Sequence, residues 1–201
     1  DGYTGTGEPA LVGWKVYDDA NLNGVWDDGE EFTFIEEDSF YWLGLLLPGD
    51  HRIAIAPEAD YTMTTSTYHD RNIQIGITQS TDFAAVNYAS ISGKLFDDLD
   101  ENGVQDVGES DLEGWTVFLD EDSDGVLDGN EQSVATAADG GYVFTDLLEG
   151  TYPVAVIMPT GEWGYTVPNS PQSVSVVLGE NRLGVDVGVH DKYWTITGTV
   201  Y

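Results

Sequence analysis

The chain has 201 residues, of which 37 are Asp or Glu and 6 are Lys or Arg, for a formal net charge of −31. So acidic a surface repels nucleic acid and anionic membranes, and the absence of Cys excludes disulfides, thiolate metal sites and cysteine catalysis. With 41% hydrophobic and 12% aromatic residues the chain can still fill a core, which an acidic disordered tail cannot.

In chain order the apolar residues alternate with period two, the signature of half-buried strands. The expected strands of the first half are Trp14-Lys-Val16-Tyr, His51-Arg-Ile53-Ala-Ile55, Ile73-Gln-Ile75-Gly-Ile77 and Phe83 to Tyr88. Those of the second half are Ile91 to Phe96, Trp115-Thr-Val117-Phe-Leu119, Tyr142-Val-Phe144, Tyr152-Pro-Val154-Ala-Val156, Val174-Ser-Val176 and Val185-Asp-Val187-Gly-Val189. No stretch carries three-and-four helical spacing over three turns, and no apolar run reaches the roughly 18–20 residues that span a bilayer. The N-terminus does not read as a signal peptide.

The halves are copies of one another. An offset of 101 positions aligns Glu8 with Glu109 and runs without a gap to about Ile55 and Val156. Leu11, Gly13, Trp14 and Val16 meet Leu112, Gly114, Trp115 and Val117; Tyr41, Leu46 and Gly49 meet Tyr142, Leu147 and Gly150. At an offset of 105, Ile91-Ser-Gly93-Lys-Leu95-Phe96 recurs as Ile196-Thr-Gly198-Thr-Val200-Tyr201. This registration divides the chain into a repeat over 1–88 that lacks its opening strand, a complete repeat over 89–191, and a further opening strand over 192–201. Two explanations fit: the chain is cut from a longer array, or Trp194–Tyr201 fills the vacancy in a neighbouring molecule by strand donation. Six or seven short strands in about 100 residues suit an immunoglobulin-like antiparallel sandwich. The segments between repeats are neither Gly/Ser-rich nor Pro-rich, so restricted hinges are expected.

The carboxylates are concentrated in twelve-residue loops between strands. In Asp98-Leu-Asp100-Glu-Asn102-Gly103-Val104-Gln-Asp106-Val-Gly-Glu109, oxygen side chains stand at positions 1, 3, 5 and 9, Gly at 6 and Glu at 12. That spacing suits Ca²⁺, which takes six to eight hard oxygen ligands at about 2.3–2.6 Å. Gly103 permits the sharp turn, Val104 offers its carbonyl, and Glu109 closes the site. The pattern recurs with Asp120, Asp122, Asp124, Val126, Asp128 and Glu131, and again with Asp19, Asn21, Asn23, Val25, Asp27 and Glu30. A truncated fourth copy leaves Asp1 and Glu8, with Gly5 where an oxygen ligand would stand. Asx turns that merely end strands do not explain a recurring Glu at position 12. Five ionised ligands in the Asp120 loop, four in the Asp98 loop and three in the Asp19 loop set the expected order of affinity. If the strands flanking the Asp98 loop are antiparallel, the two loops of a repeat lie at opposite poles, near the junctions between units. Calcium is then expected to stiffen junctions as well as units, at about two sites per complete repeat.

The run from Gly93 to Glu109, followed by Leu112-Glu-Gly-Trp-Thr-Val117, resembles the B repeats of serine-aspartate-repeat (Sdr) surface proteins. Asp139-Gly-Gly-Tyr-Val-Phe-Thr-Asp-Leu-Leu-Glu-Gly-Thr-Tyr-Pro-Val154 is similar to the same family and to collagen-adhesin B-type domains. The resemblance covers nearly all of the second repeat and the first from Gly7 to about Ile55. It implies all-β, immunoglobulin-like or prealbumin-like sandwich modules that bind calcium and are strung as stalks on microbial surfaces, in fibres or in large secreted proteins. The collagen-adhesin type often carries a Lys–Asn or Lys–Asp isopeptide cross-link. Here Lys94 becomes Thr199 and Lys15 becomes Thr116 in the next copies, and the strand Tyr152–Ile157 has no Glu, so no such bond is expected.

No nucleophile elbow, His-Glu-x-x-His motif or phosphate loop is present, and close carboxylate pairs belong to the loops rather than to a glycosidase pair. His51, His69 and His190 occupy no repeated position and are expected at the surface. Not an enzyme, the chain is expected to be an extracellular spacer whose partners are neighbouring repeats of the same chain or of adjacent protomers. The alternative is an adhesin gripping a host protein or glycan, for which Tyr61, Tyr68, Tyr41-Trp42 and Trp163-Gly-Tyr165 are candidate contacts, with core roles as their other explanation. The acidic residues outside the loops also fit a salt-adapted surface.

Overall fold

A computed structural model describes residues 10–159, 163–166 and 171–192. The chain forms two compact units, residues 1–87 and 88–201. The described residues contain no α-helix, and none of them provides a helix long and apolar enough to cross a membrane.

The second unit is a two-sheet sandwich. Its strands are β7 (Ala89–Asp97), β8 (Thr116–Leu119), β9 (Ser133–Ala135), β10 (Gly141–Leu147), β11 (Gly150–Val156), β12 (Trp163–Tyr165), β13 (Gln172–Val176), β14 (Asn181–Arg182) and β15 (Val187–Asp191). One sheet runs β10-β7-β15-β12, with β14 also on β7; the other runs β13-β11-β8-β9. Alternation puts one face of each strand inward: Ile91 and Leu95, Val117 and Leu119, Tyr142 and Phe144, and Val154 and Val156 are all buried in a single cluster. The sandwich is not wholly antiparallel as expected. Strands β14 and β15 both lie parallel to β7, because β7 opens the unit and β15 closes it, and the intervening chain crosses to the other sheet and back.

The first unit has β1 (Lys15–Asp18), β2 (Phe32–Phe34), β3 (Gly49–Ile55), β4 (Thr62–Met63), β5 (Tyr68–Ile73) and β6 (Ala85–Val86). Its four-stranded sheet, β2-β1-β3-β5, reproduces the β13-β11-β8-β9 order in reverse listing, with β4-β6 as a separate pair. The core is small: Trp14, Val16, Ile35, Ile53 and Ile55. Two strand expectations fail here. Ile73 to Ile77 is not a strand: β5 ends at Ile73, and a turn follows, with Gly76 at φ 76° and Ile77 N donating to Gln74 O at 3.2 Å. Ile75 and Ile77 are consequently exposed. Phe83 to Tyr88 shrinks to the two residues of β6. Alternation is present along both stretches, but a ladder partner meets them only at Ile73, opposite Gly49, and at Ala85 and Val86, opposite Met63 and Thr62.

The topology fixes the loop positions in the second unit. Strand β7 is antiparallel to β10, β10 turns back through Leu148 and Glu149 into β11, and β11 is antiparallel to β8. Strand β8 therefore runs opposite to β7, and the loops that follow them lie at opposite ends of the sandwich.

Candidate metal centres

Each full loop begins where a strand ends, and its first Asp is drawn into the sandwich. Asp19, Asp98 and Asp120 are 0%, 0% and 2% exposed. Their backbones are held by the neighbouring strand: Asp19 N donates to Arg52 O at 2.8 Å, Asp120 N to Pro153 O at 2.9 Å, and Asp98 N to Val189 O at 3.0 Å.

From that anchor the three loops wind identically. The carboxylate of Asp98 accepts from Asn102 N at 3.1 Å and Gly103 N at 2.8 Å. Asp120 accepts from Asp124 N and Gly125 N, both at 3.1 Å, and Asp19 from Asn23 N and Gly24 N, both at 3.0 Å. The third-position side chain accepts from the fifth-position N–H, from Asn21 through Asp122. The fifth-position oxygen accepts from Val25, Val104 and Val126 N–H at 2.7–2.8 Å. The closing Glu bridges the loop ends: Glu109 accepts from Leu99 N at 2.7 Å and Asp106 N at 2.9 Å. Glu131 does so from Glu121 N and Asp128 N, and Glu30 from Ala20 N and Asp27 N.

The backbone explains why the fourth and sixth positions matter. Gly24, Gly103 and Gly125 have φ of 79°, 81° and 76°, which L side chains rarely adopt. Leu22, Glu101 and Ser123, two residues earlier, also have positive φ (63°, 57°, 62°). Such strain persists only where surrounding contacts over-determine it, and here the first Asp's two oxygens do so. The side chains of Val25, Val104 and Val126 point to solvent, as suits residues whose contribution comes from the backbone.

The donor chemistry fits a hard divalent cation. An ionised carboxylate has about four acceptor sites, and Asp100 and Asp122 each use only Oδ1 on a loop N–H, which leaves Oδ2 for a ligand. Ligand oxygens of Asp98, Asp100 and Glu109 lie within 4.8 Å of one another, as do those of Asp120, Asp122 and Asp124. The Asp122 carboxyl feels opposed effects: the Asp124 N–H lowers its pKa, whereas desolvation and the charges of Asp124, Glu131 and Asp128 raise it, and the net direction is upward. An arrangement that crowds anions in this way is relieved by a cation. The Asp19 loop differs: Asn21 and Asn23 both direct Nδ2 at Asp27 Oδ2, each at 2.6 Å, so neutral amides relieve the charge. Asp1 and Glu8 of the truncated fourth loop lie outside the described residues, as do Trp194–Tyr201.

Three partners of the loops left no trace in the spacing. Thr166, 3% exposed, donates its hydroxyl to Asp98 Oδ2. His190 Nδ1 meets Asp97 Oδ1 at 2.8 Å, and His51 Nδ1 meets Asp18 Oδ2 at 2.6 Å. The two Asp residues each immediately precede a loop, so the histidines, expected to be surface residues, are instead half-buried and perform one task from non-equivalent strands. The acidic doublets Asp18-Asp19 and Asp97-Asp98 were the available signal. The candidate aromatic contacts divide. Tyr61 stands edge-on to Trp14 at 5.1 Å, Trp163 edge-on to Trp115 at 4.9 Å, and Tyr165 accepts Val156 N at 2.8 Å. Tyr68 is covered by the Arg52 guanidinium at 4.0 Å. Trp42 is 73% exposed. Both repeat lysines have non-covalent partners: Lys94 lies 3.5 Å from Asp111, and Lys15 3.3 Å over the Trp26 ring.

Comparison with known proteins places this architecture. Residues 89–176 match the family model described as SdrD B-like domain. The serine-aspartate repeat-containing protein D of Staphylococcus aureus strain Newman is 24% identical over 221 residues, covering 89% of this chain; the chain spans 16% of that relative's length. Colossin-A of Dictyostelium discoideum is 36% identical over 115 residues, 57% of this chain and 1% of that protein. Among solved structures, the minor pilin GBS52 of Streptococcus agalactiae has 10% identity and a TM-score of 0.40, covering 99% of this chain and 91% of the pilin. A point mutant of the shaft pilin SpaA of Lactobacillus rhamnosus GG has 13% identity and a TM-score of 0.41, covering 96% and 90%. The second unit is therefore similar, over residues 89–176, to the SdrD B-like domain.

Proposed function

We propose that the chain is a calcium-stabilised structural repeat of an extracellular or cell-surface stalk, fibre or matrix protein, in which the units act as stiff spacers. The observation that carries this reading is the backbone N–H hydrogen-bond pattern shared by three loops at strand ends, together with the ligand oxygens of Asp98, Asp100 and Glu109, and of Asp120, Asp122 and Asp124, lying within 4.8 Å of one another. Bound there, Ca²⁺ supplies positive charge that neutralises the carboxylates and ties the loop's ends together. The protein's own residues do the positioning. The buried first Asp pins the fifth- and sixth-position N–H groups, and the closing Glu pins the second and ninth.

In the second unit the Asp98 and Asp120 loops lie at opposite ends of the sandwich, so a cation at each stiffens both ends of the spacer. Affinities of extracellular calcium modules are about 10⁻⁴–10⁻³ M. At 100-fold saturation one site adds about 2.7 kcal/mol, a large fraction of the 5–15 kcal/mol of a typical domain. The exposed acidic surface keeps such an array soluble and unattached to nucleic acid.

Titration calorimetry of the metal-stripped chain with CaCl₂, paired with thermal unfolding in EDTA and in calcium, tests the reading. Heat of binding and an upward shift of melting temperature are expected, with the Asp120 loop filling first. A silent titration together with identical melting curves would refute calcium as the stabiliser.

A further inference from the structure

The edge strand of the first unit carries side-chain chemistry that its counterpart in the second unit lacks. Among the described residues β2 pairs with β1 alone, with Phe34, Thr33 and Phe32 opposite Lys15, Val16 and Tyr17. Just beyond the strand, Glu31 O accepts from Asp18 N at 2.9 Å and Ile35 N donates to Trp14 O at 3.0 Å. The odd-numbered residues therefore turn their backbone to β1, and the N–H and C=O groups of Phe32 and Phe34 face the open edge. Ile35 packs into the core, whereas Phe32 and Phe34 project from the opposite face and are 42% and 48% exposed.

The rings form a continuous row. Trp26 stands edge-on to Phe32 at 5.4 Å, and Phe32 edge-on to Phe34 at 5.6 Å. The Lys15 ammonium lies 3.3 Å from the Trp26 centroid and 4.9 Å from that of Phe32, so the row already holds one cation on its faces. Acid brackets the strand: Glu31 precedes it, Glu36 and Glu37 follow it, and all three are exposed. The fold requires none of this. At the 101-residue offset Trp26, Glu31, Phe32, Phe34, Glu36 and Glu37 become Leu127, Gln132, Ser133, Ala135, Ala137 and Ala138, and Lys15 becomes Thr116. Strand β9 nevertheless makes the equivalent ladder to β8. The aromatic row and its acidic brackets are thus additions to one repeat, concentrated on a strand edge whose free N–H and C=O groups are a template for another strand.

We propose that the open edge of β2 binds an extended peptide segment of a partner protein, basic at both ends and apolar at alternate positions between them, which joins the sheet as a further strand. The segment lies antiparallel, the more stable pairing. Its main chain bonds to Phe32 and Phe34, and the residues opposite these two set apolar side chains against the rings as cross-strand pairs. A Lys or Arg at one end meets Glu31, and basic residues at the other end meet Glu36 and Glu37. Residues 31 to 37 span about 20 Å when extended, so about seven residues of the partner are engaged. Charge selects the occupant. Two copies of this chain paired through the same edge would set acid against acid, whereas a basic segment is drawn to a molecule of net charge −31. The inference goes beyond the spacer reading and does not depend on calcium.

Titration calorimetry of the full chain with the synthetic peptide acetyl-KKTVTVK-amide tests the proposal. Laid antiparallel, its valines stand opposite Phe34 and Phe32, and its lysines opposite Glu37, Glu36 and Glu31. Binding is expected to be about tenfold or more tighter than for acetyl-EETVTVE-amide, and to weaken between about 0.05 M and about 0.5 M salt as the screening length shrinks. N-methylation of both valines, whose amides face β2, is expected to abolish binding. N-methylation of both threonines, whose amides face away, should change it by less than about threefold. The variants F32S/F34A and E31Q/E36A/E37A carry the second repeat's residues. Each should weaken binding about tenfold or more, or about 1.4 kcal/mol, with the first unit's thermal transition retained. No heat of binding, equal affinity for the two N-methylated peptides, equal affinity for the acidic peptide, or parent-like binding by F32S/F34A, which keeps every carboxylate, would each overturn the proposal. A silent calcium titration would leave it standing.

Discussion

Replacing Asp98 by Ala separates what the first loop residue does for the fold from what it does for a cation. In the native structure its carboxylate accepts three hydrogen bonds, from Asn102 N at 3.1 Å, Gly103 N at 2.8 Å and the Thr166 hydroxyl. Asn102 is exposed and Gly103 half-exposed, so water can satisfy their N–H groups once the carboxylate is gone. Each then costs about 1 kcal/mol, while the buried Thr166 hydroxyl, left without an acceptor, costs about 1–3 kcal/mol. The total is about 3–5 kcal/mol. At about 4 °C per kcal/mol for a unit of this size, the second unit's transition should fall by about 12 °C or more. Scanning calorimetry in EDTA reads that structural part alone. Repeated in calcium at about 100 times the dissociation constant, the gap to the parent should widen by a further 2.7 kcal/mol or so, because the variant no longer gains from that site. A transition in EDTA within about 2 °C of the parent would refute the hydrogen-bond account. An unchanged gap in calcium would refute Asp98 as a ligand.

Three further outcomes follow from single distances and charges. Gly93→Ala should destabilise the second unit by about 3 kcal/mol or more, since the new Cβ meets the Val185 carbonyl at 1.9 Å; Gly125→Ala, which has open space but φ +76°, should cost only about 1–2 kcal/mol, both read by denaturant unfolding in EDTA. Asn21→Asp combined with Asn23→Asp, which replaces two neutral amides by carboxylates, should raise the calcium affinity of the Asp19 loop about tenfold or more, or about 1.4 kcal/mol, measured calorimetrically. The His51 pKa is lowered by desolvation but raised more by its bonds to Asp18 and the Leu47 carbonyl and by the charges of Asp18 and Asp50, so its net direction is up. A raised folded-state value means the His51–Asp18 pair stabilises fully below the unfolded value of about 6.5 and loses that contribution as pH rises through the folded one. In EDTA the first unit's melting temperature should therefore drop over that range, and His51→Gln should flatten the drop; an equal slope in the variant would sink the assignment.

Local chemistry wrote much of the protein into its sequence. The twelve-residue loops were legible because a loop that wraps a centre needs its oxygens at fixed offsets and a residue free to take positive φ at the sixth, and both demands act within a few bonds. Period-two burial was legible for Val117 and Leu119 or Val154 and Val156 because successive side chains on a strand point to opposite faces. What spacing could not convey depends on partners far along the chain. Thr166 reaches Asp98 across 68 positions and His190 reaches Asp97 across 93, and neither residue type announces its role. Gly93 looks like an ordinary strand glycine until the Val185 carbonyl is seen to occupy the space a side chain would need. Phe40–Leu46 occupies the repeat-equivalent place of Gly141–Leu147, yet only the latter is a strand, because a β-ladder is a property of two segments and β7 supplies the second.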